Sequence, residues 1–234
     1  MEKNYSEVPA LQNRWIKIRS ANLYDTLDSM GYPNQCINLN IKPLAVGARI
    51  AGQAVTMRGR RAPFTEDELE NNPDLNPGFE IVQKFAYPGC VVVVESGGEP
   101  ISGKFGEMTS WALKQNGATG IVVDGYIRDY EGLMEIPDYT VCSLGTAPIE
   151  SKHRWSLCEF NGTISLPGTL SSGVRIDNGD WIVGDSDGII VVPKKIMIDA
   201  LILAEDIESR EDGMRTDMRA GMSFEDAFKK WGRA

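Results

Sequence analysis

Two short, mainly apolar runs separated by a helical segment constrain this chain most. Residues 90–96, CVVVVES, and 120–124, GIVVD, each predict a strand buried on both faces, because a strand with one wet face alternates apolar and polar residues. Residues 106–117 between them have the apolar spacing of a helix that ends at a glycine. This order predicts a parallel βαβ unit, with residues 138–145 as a third buried strand.

The segments on either side of this unit follow other patterns. Residues 8–31 have the apolar spacing of two helices, and residues 49–59 resemble a strand interrupted by glycine. After residue 155, short apolar runs are separated by NG, DNGD and DSDG turns, which predict hairpins. Residues 195–220 predict one long helix whose polar second half is typical of a helix that crosses solvent or lies against another subunit.

The length of 234 residues suits one large domain or two small ones. The polar, acidic stretch 65–77 is too short to mark a domain boundary. We therefore expect a single α/β domain over residues 1–234, with N-terminal helices at 8–31, a core at 41–193 and C-terminal helices at 195–231. The core combines parallel central strands and flanking helices with a C-terminal hairpin region.

Charge and hydropathy argue against two classes of partner. The net charge is −9 and no dense run of lysine or arginine occurs, so nucleic acid is not expected as a partner. No run of about 18 apolar residues is present, and the N-terminal MEKNYSEVPA lacks the apolar centre of a signal peptide. These features predict no membrane span and a cytoplasmic location.

Cysteine and histidine usage limits the chemistry. The four cysteines are widely spaced, so neither a zinc site nor a disulfide framework is indicated, and Cys90 and Cys142 fit as small core residues. The single histidine, His153, lies in a polar stretch and is interpreted as a surface side chain. Acid–base or metal chemistry is therefore expected from carboxylates, arginine and water.

A Gly-rich loop, ESGGEPISGKFGEM at 95–108, connects a buried strand to a helix. The free N–H groups at a helix start attract anions, so residues 106–109 form a candidate anion site. Gly98 to Lys104 also reads G-x-x-x-x-G-K, but Phe105 follows where a nucleotide-binding loop needs serine or threonine. A nucleotide site is therefore the weakest alternative, and a Schiff-base role for Lys104 is not required.

A second polar set follows the next strand, in VVDGYIRDYEG at 122–132. Consecutive parallel strands end at the same edge of a sheet, so this loop and the Gly-rich loop share one rim. Asp124 and Asp129 offer oxygen ligands for a hard cation such as Mg²⁺, and Arg128 offers a planar fork for a carboxylate. The alternative, a solvated Asp–Arg pair, contributes only about 0–1 kcal/mol.

Four segments together carry a family resemblance. GEMTSWALKQNGATGIVVDGYIRD resembles the RraA-like family motif, which runs from G-[DE] through a helix and a strand to DG-x-x-RD. GDWIVGDSDGIIVVP, SREDGMRTDMRAGMS and ANLYDTLDSMG are similar to further segments of the same family. The resemblance extends from about residue 20 to residue 232. The insertion at 63–77 and Cys90, where the family often has aspartate, depart from the pattern.

The resemblance implies a swivelling β/β/α fold and a trimeric or hexameric assembly. The family includes class II aldolases for 4-hydroxy-4-methyl-2-oxoglutarate and 4-carboxy-4-hydroxy-2-oxoadipate, which also decarboxylate oxaloacetate, and regulators of ribonuclease E. The implied function is a lyase, dependent on Mg²⁺ or Mn²⁺, that cleaves a C–C bond in a small 2-oxo acid through a metal-stabilised pyruvate enolate. A non-catalytic regulator, or a lyase or dehydratase for a sugar acid, remains an alternative.

The resemblance also assigns roles to individual residues. Asp129 corresponds to the direct metal ligand, and Arg128 to the group that contacts the substrate. Glu107 corresponds to the carboxylate that binds metal waters, where aldolases often have aspartate. Glu211 corresponds to a glutamate that enters a neighbouring subunit's site. The implied binding site for the pyruvyl carboxylate consists of the backbone of Gly106, Glu107, Met108 and Thr109.

Overall fold

The computed structural model of the protein describes residues 5–75, 77 and 79–232. Its α-helices are α1 Val8–Trp15, α2 Ser20–Ser29, α3 Glu66–Asn71, α4 Phe79–Gln83, α5 Glu107–Gln115, α6 Tyr130–Met134, α7 Met197–Arg219 and α8 Phe224–Trp231. Its strands are β1 Lys42–Pro43, β2 Ile50–Arg61, β3 Cys90–Glu95, β4 Gly120–Val123, β5 Tyr126–Ile127, β6 Thr140–Ser143, β7 Gly145–Thr146, β8 Trp155–Phe160, β9 Ile164–Leu166, β10 Val174–Ile176, β11 Trp181–Gly184 and β12 Ile189–Val192. The ends of the expected 1–234 domain, and Asn76 of the 63–77 insertion, lie outside the described residues.

The main sheet has the order β1-β6-β4-β3-β2-β11-β12, with β8 paired to the second half of β2. Strands β2, β3, β4 and β6 are parallel neighbours, which confirms the parallel core expected from the apolar runs. Strands β1, β8, β11 and β12 add antiparallel pairs around them. The carboxyl ends of β2, β3 and β4 therefore lie along one rim of the sheet.

Strand β3 is buried on both faces, as its sequence predicts. Val92 and Val94 point into a cluster that includes residues of α1, α2, α5 and α7, whereas Val91 and Val93 point towards β9 and β10. All four side chains are fully buried. Because side chains alternate between the faces of a strand, each side of the sheet needs its own apolar cover. The helices cover one side and the β9–β10 hairpin covers the other.

Strand β2 changes its antiparallel partner along its length. Its first half pairs with β11 and its second half with β8, and the register with β8 shifts between Arg58 and Gly59. A Cβ at Gly59 would lie 2.2 Å from the Trp155 ring, so only glycine allows this approach. Trp155 Nε1 then donates to Ser96 O at 2.9 Å, which places the indole beneath the start of the Gly-rich loop.

Two of the three predicted hairpins are wrong. The NG turn at 161–162 joins β8, which pairs with β2, to β9, which pairs with β10. The DNGD turn at 177–180 joins β10 to β11, which pairs with β2 and β12. The DSDG turn at 185–188 does connect a hairpin, β11–β12. A tight turn reverses the direction of the chain, but it does not determine which strand the next segment pairs with. Here that pairing follows from which sheet edge is available to bury the strand.

The C-terminal helices agree with the sequence pattern. Helix α7 begins at Met197, after a 3₁₀ turn over Lys194–Ile196, and Ser223 Oγ accepts from Asp226 N–H at the start of α8. The polar second half of α7 packs on α2 and α8, so it is not a purely solvated segment. Within the described part of the chain, none of the helices combines the length and hydropathy needed to cross a membrane.

Candidate functional site at the sheet rim

The two polar loops at the rim are joined by their backbones. Gly103 pairs with Tyr126, Lys104 N–H donates to Tyr126 O at 2.9 Å, and Arg128 N–H donates to Phe105 O at 3.0 Å. Segments 103–105 and 126–128 therefore run side by side as short extended strands. The two segments end at the same level. Gly106, which follows the first segment, therefore lies next to Asp129, which follows the second.

Asp129 has a left-handed backbone, with φ of 63°, immediately before helix α6. Its Oδ2 accepts a hydrogen bond of 3.3 Å from Glu107 N–H, at the start of α5. A Cβ at Gly106 would lie 2.3 Å from the same Oδ2, so glycine permits the contact between the loops. The carboxylate is thus placed at the start of a helix, where the helix dipole favours negative charge.

Arg128 lies beside this carboxylate without being held tightly by it. Its Nε is 3.4 Å from each Asp129 oxygen, and the two side chains are 36% and 42% exposed. The terminal guanidinium nitrogens donate to no other group in the described ranges. Exposed pairs of this kind contribute about 0.2–1 kcal/mol. The guanidinium fork is therefore available to an incoming carboxylate.

Glu107 is the first residue of α5 and supplies a second carboxylate. Its side chain crosses to α6, where a Cβ at Gly132 would lie 2.1 Å from Glu107 Oε2. Its carboxylate accepts no hydrogen bond from any residue that the structure describes. Glu107 and Asp129 thus supply two carboxylates at this point of the rim. No group of three or more His, Cys, Asp or Glu side chains suited to a metal ion occurs among the described residues.

The start of α5 presents free amides beside these side chains. The first helical hydrogen bond runs from Ser110 N–H to Gly106 O at 3.1 Å, so the N–H groups of Met108 and Thr109 have no helical carbonyl to use, and that of Glu107 donates to Asp129 instead. Thr109 is buried and Met108 is exposed, with 66% of its surface accessible. The structure therefore brings together the predicted residues Gly106, Glu107, Met108, Thr109, Arg128 and Asp129.

Two residues of the same loops lie elsewhere. The Lys104 side chain is 0% exposed and its Nζ is 2.8 Å from Glu99 Oε2, so it reaches neither a nucleotide nor a substrate carbonyl. Asp124 turns back towards β3, where its Oδ1 accepts from Ser96 N–H, and burial raises the pKa of its carboxyl group. Asp124 therefore ties the ends of β3 and β4 together. Sequence reasoning missed Glu99, because no spacing in the loop indicates a buried partner for Lys104.

Glu211 lies on α7, in a separate polar cluster. Its Oε2 accepts from Arg215 at 2.7 Å and from Asn22 at 3.0 Å, with Arg19 at 3.4 Å. Burial opposes ionisation, but the hydrogen bonds from Asn22 and Arg215 outweigh it and lower the pKa of Glu211. None of its contacts within the described residues is to the rim. Within one chain, the structure does not bring Glu211 to Arg128.

A separate cavity lies between α2 and the β11–β12 turn. It has a volume of about 370 Å³, and its lining includes Tyr24, Asp25, Cys36 and Asp187. None of its lining residues was predicted for the rim site.

The fold and rim define an α/β protein with a curled mixed sheet, C-terminal helices and a candidate anion site at the sheet edge. The model of the RraA-like family, described as Aldolase/RraA, matches residues 20–191. The chain belongs to this family. The family resemblance and the α/β fold predicted from the sequence are thereby confirmed.

Individual relatives carry different names. The chain is similar to Protein DlpA of Legionella pneumophila, with 26% identity over 222 residues, 94% of this chain and 33% of that protein. It is similar to a putative 4-hydroxy-4-methyl-2-oxoglutarate aldolase of Halalkalibacterium halodurans, with 31% identity over 154 residues, 66% of this chain and 64% of that protein. It thus spans less than two thirds of the length of these two curated relatives.

One solved structure is informative in sequence as well as in fold. Streptomyces coelicolor RraAS2, described as an unusual member of the RNase ES inhibitor RraA protein family, is 26% identical, with a TM-score of 0.73. The match covers 92% of this chain and 98% of that chain. The family therefore includes both an aldolase name and an inhibitor name among the chains that this one resembles.

Proposed function

We propose that the protein is a divalent-metal-dependent lyase that cleaves a C–C bond in a small 2-oxo acid. The observation that carries the proposal is the pairing of segments 103–105 and 126–128. This pairing brings two carboxylates, a guanidinium and the free helix-start amides of Met108 and Thr109 to one point of the rim. The putative aldolase name of a relative with 31% identity supports the same substrate class.

The donor set fits Mg²⁺ or Mn²⁺. Asp129 would be the direct ligand and Glu107 would bind metal waters, since hard cations prefer oxygen and Mg²⁺ retains several waters when one or two carboxylates hold it. Glycine at positions 106 and 132 leaves room for both carboxylates, because a Cβ at either position would collide with one of them. When bound, the cation supplies Lewis-acid stabilisation of the negative charge that develops on the substrate.

The remaining chemistry belongs to the chain's own groups. Arg128 and the N–H groups of Met108 and Thr109 bind the 2-oxo acid carboxylate and add fixed positive potential where negative charge develops, while Glu107 N–H donates to Asp129. In aldol cleavage, Glu107 acting through a water removes the proton of the 4-hydroxyl, whose oxygen becomes the carbonyl oxygen of the second product. The C3–C4 bond breaks, its electron pair becomes the enolate of pyruvate, and the enolate is then protonated at C3. Decarboxylation of oxaloacetate needs only the loss of CO₂ to the same enolate, which is then protonated.

We propose further that the working unit is a homotrimer or homohexamer of one-domain chains. The polar face of α7 carries Glu211, which the family pattern assigns to a neighbouring subunit's site. In a single chain this carboxylate lies with Asn22, Arg19 and Arg215 on the α2–α7 face. An assembly that brings this face to a neighbour's rim would add a third carboxylate beside Glu107 and Asp129.

A second candidate function is supported by one comparison. RraAS2, which is similar over 92% of this chain, is described as a member of an inhibitor family. A fold does not by itself decide between catalysis and protein binding. In that alternative the rim would be a vestigial site, and the surface around it would bind a protein partner.

Release of pyruvate tests the proposal. The wild-type chain is assayed with oxaloacetate and with 4-hydroxy-2-oxo diacids, with Mg²⁺, with Mn²⁺ and with EDTA. Arg128→Ala is compared with Arg175→Ala, in which an exposed arginine loses an ion pair to Asp177 of 3.0 Å. We expect Mg²⁺-dependent turnover that Arg128→Ala lowers by about 10²-fold or more, since a charged group acting on the transition state is worth several kcal/mol. Arg175→Ala should retain full turnover.

Either of two results would overturn the lyase. Turnover that is unaffected by EDTA excludes the metal-dependent reaction, and turnover that is unchanged in Arg128→Ala excludes the assigned site. Absence of turnover with every 2-oxo acid, together with saturable binding of a purified ribonuclease E-type protein, would instead support the inhibitor alternative.

A further inference from the structure

The Gly-rich loop contains an ion pair that the proposed reaction does not use. Lys104 Nζ is 2.8 Å from Glu99 Oε2, and the side chains are 0% and 6% exposed. Lysine and glutamate are rarely buried, because removing such ions from water costs several kcal/mol each. A buried pair of this kind is therefore a weak source of net stability. Its position in the loop gives it a different use.

Glu99 organises the turn that precedes Gly103. Its carboxylate accepts from Ile101 N–H at 3.2 Å, from Ser102 N–H at 3.0 Å and from Ser102 Oγ at 2.7 Å, in addition to Lys104. A carboxylate with this many donors is fully satisfied. It fixes the conformation of residues 99–104 in a loop that begins with two glycines, Gly97 and Gly98, in left-handed conformations.

Lys104 connects this turn to the second loop of the rim. A Cβ at Gly125 would lie 2.9 Å from Lys104 Nζ and 3.0 Å from its Cε, so the lysine chain lies directly on the backbone of Gly125. Its ammonium group is 5.9 Å from the centre of the Trp155 ring, and its main-chain N–H donates to Tyr126 O. Lys104, which belongs to the Gly-rich loop, thus contacts both the segment that leads to Arg128 and the indole of Trp155.

We propose that Lys104 and Glu99 are positioning residues. Their buried pair fixes where the first residues of α5 lie relative to Arg128 and Asp129. The pair holds residues 99–105 against Gly125 and Trp155, and the paired backbones carry this position to Gly106. The expected effect on turnover rests on the proposed function, whereas the positioning of residues 99–106 by the pair does not. A shift of about 1 Å in a reacting group lowers turnover by about 10²-fold.

The test removes both charges together. Lys104→Met alone would leave Glu99 buried without its cation and is expected to destabilise the fold strongly. The double variant Glu99→Gln, Lys104→Met keeps side-chain size and leaves no unpaired charge. Its matched control carries Glu225→Gln and Lys229→Met, the same changes in a pair of 2.9 Å on α8 that is 79% and 67% exposed.

Three measurements are made on the full chain of each variant, and the first is the melting temperature. Hydrogen exchange is followed for backbone amides in residues 97–109 and 124–132, and kcat and KM are measured with oxaloacetate and Mg²⁺. For the rim double variant we expect a melting temperature near that of wild type, about 10-fold or faster exchange in both segments, and kcat lowered by about 10²-fold. The α8 double variant should match wild type in all three measurements.

The outcomes separate this proposal from the proposed reaction. Unchanged exchange in the two segments overturns the positioning role, whether or not the wild-type chain cleaves a 2-oxo acid. Faster exchange with unchanged kcat and KM also overturns it, since the pair would then stabilise the loop without serving the site. If the wild-type chain has no lyase activity, the proposed reaction fails alone. Faster exchange confined to the two segments would then still support the positioning role.

Discussion

A substitution at Gly132, which lies against the Glu107 side chain, is expected to change turnover while it leaves stability nearly unchanged. Replacing Gly132 by alanine puts a methyl group 2.1 Å from Glu107 Oε2 and 2.4 Å from its Cδ, so the Glu107 side chain must rotate away. Gly132 lies inside α6, where its backbone is helical and not left-handed. Alanine therefore suits the backbone while it removes the place that Glu107 occupies. We expect Gly132→Ala to preserve the fold and to lower turnover.

The expected effect of Gly132→Ala on stability is much smaller than its expected effect on turnover. Alanine in place of glycine inside a helix gains about 0.5–1 kcal/mol, and a displaced Glu107 rotamer costs about 0.5–1.5 kcal/mol. The net change in the free energy of unfolding is therefore within about 1 kcal/mol, or a melting-temperature shift of roughly 4 °C or less for a chain of this size. Loss of a positioned general base lowers turnover by about 10²–10⁴-fold, and we expect about 10²-fold in kcat.

The assay is a double-mutant cycle on pyruvate release and thermal unfolding. Gly132→Ala, Glu107→Ala and the double variant are compared, with Glu131→Ala as the control for an exposed neighbour in α6. Because both single changes remove the same carboxylate from the site, the double variant should be no slower than Glu107→Ala. Additive losses, or wild-type kcat in Gly132→Ala, would refute the role assigned to Glu107.

Three further predictions concern the same loops. Gly106→Ala puts a methyl group 2.3 Å from Asp129 Oδ2, so the Kd for Mn²⁺, measured by electron paramagnetic resonance, should rise about 10-fold or more, a loss of about 1.4 kcal/mol. Arg128→Lys loses the planar fork and should weaken binding of oxalate by about 10-fold in calorimetry, with little change in melting temperature. Burial opposes ionisation of Glu99, but Lys104 and Ser102 outweigh it and hold its pKa at about 2, below the usual 4.5. The stability this carboxylate contributes is therefore present above about pH 4.5 and lost as pH falls towards 2, so the stability difference from Glu99→Gln in urea unfolding should shrink between pH 5 and pH 3.

The parallel core was predictable because burial on both faces leaves a local signature. Runs such as CVVVVE and GIVV admit little besides central strands, and the structure has them as β3 and β4. The hairpins at 161–162 and 177–180 were not predictable from their turns. Strand partners depend on the free edges of a sheet that distant segments build, and no turn residue encodes those edges.

The candidate site was predictable to the level of two converging loops. Parallel strands end on one rim, so Glu107, Arg128 and Asp129 could be placed near one another from their distance to the strand ends. The direction of Asp124 could not, since its acceptor role depends on the free N–H of Ser96 at the end of another strand. The burial of Lys104 depends likewise on Trp155, which lies far along the chain and reaches the loop because Gly59 makes room for it.

The left-handed turn at Asp129 affects how such a protein can change over evolutionary time. Asparagine and glycine adopt this conformation as readily as aspartate, whereas most other residues resist it. A single codon change at this position could therefore delete the carboxylate and leave the scaffold and its core in place. Descendants that lack this carboxylate would still fold, and selection could then retain them for whatever their surfaces bind.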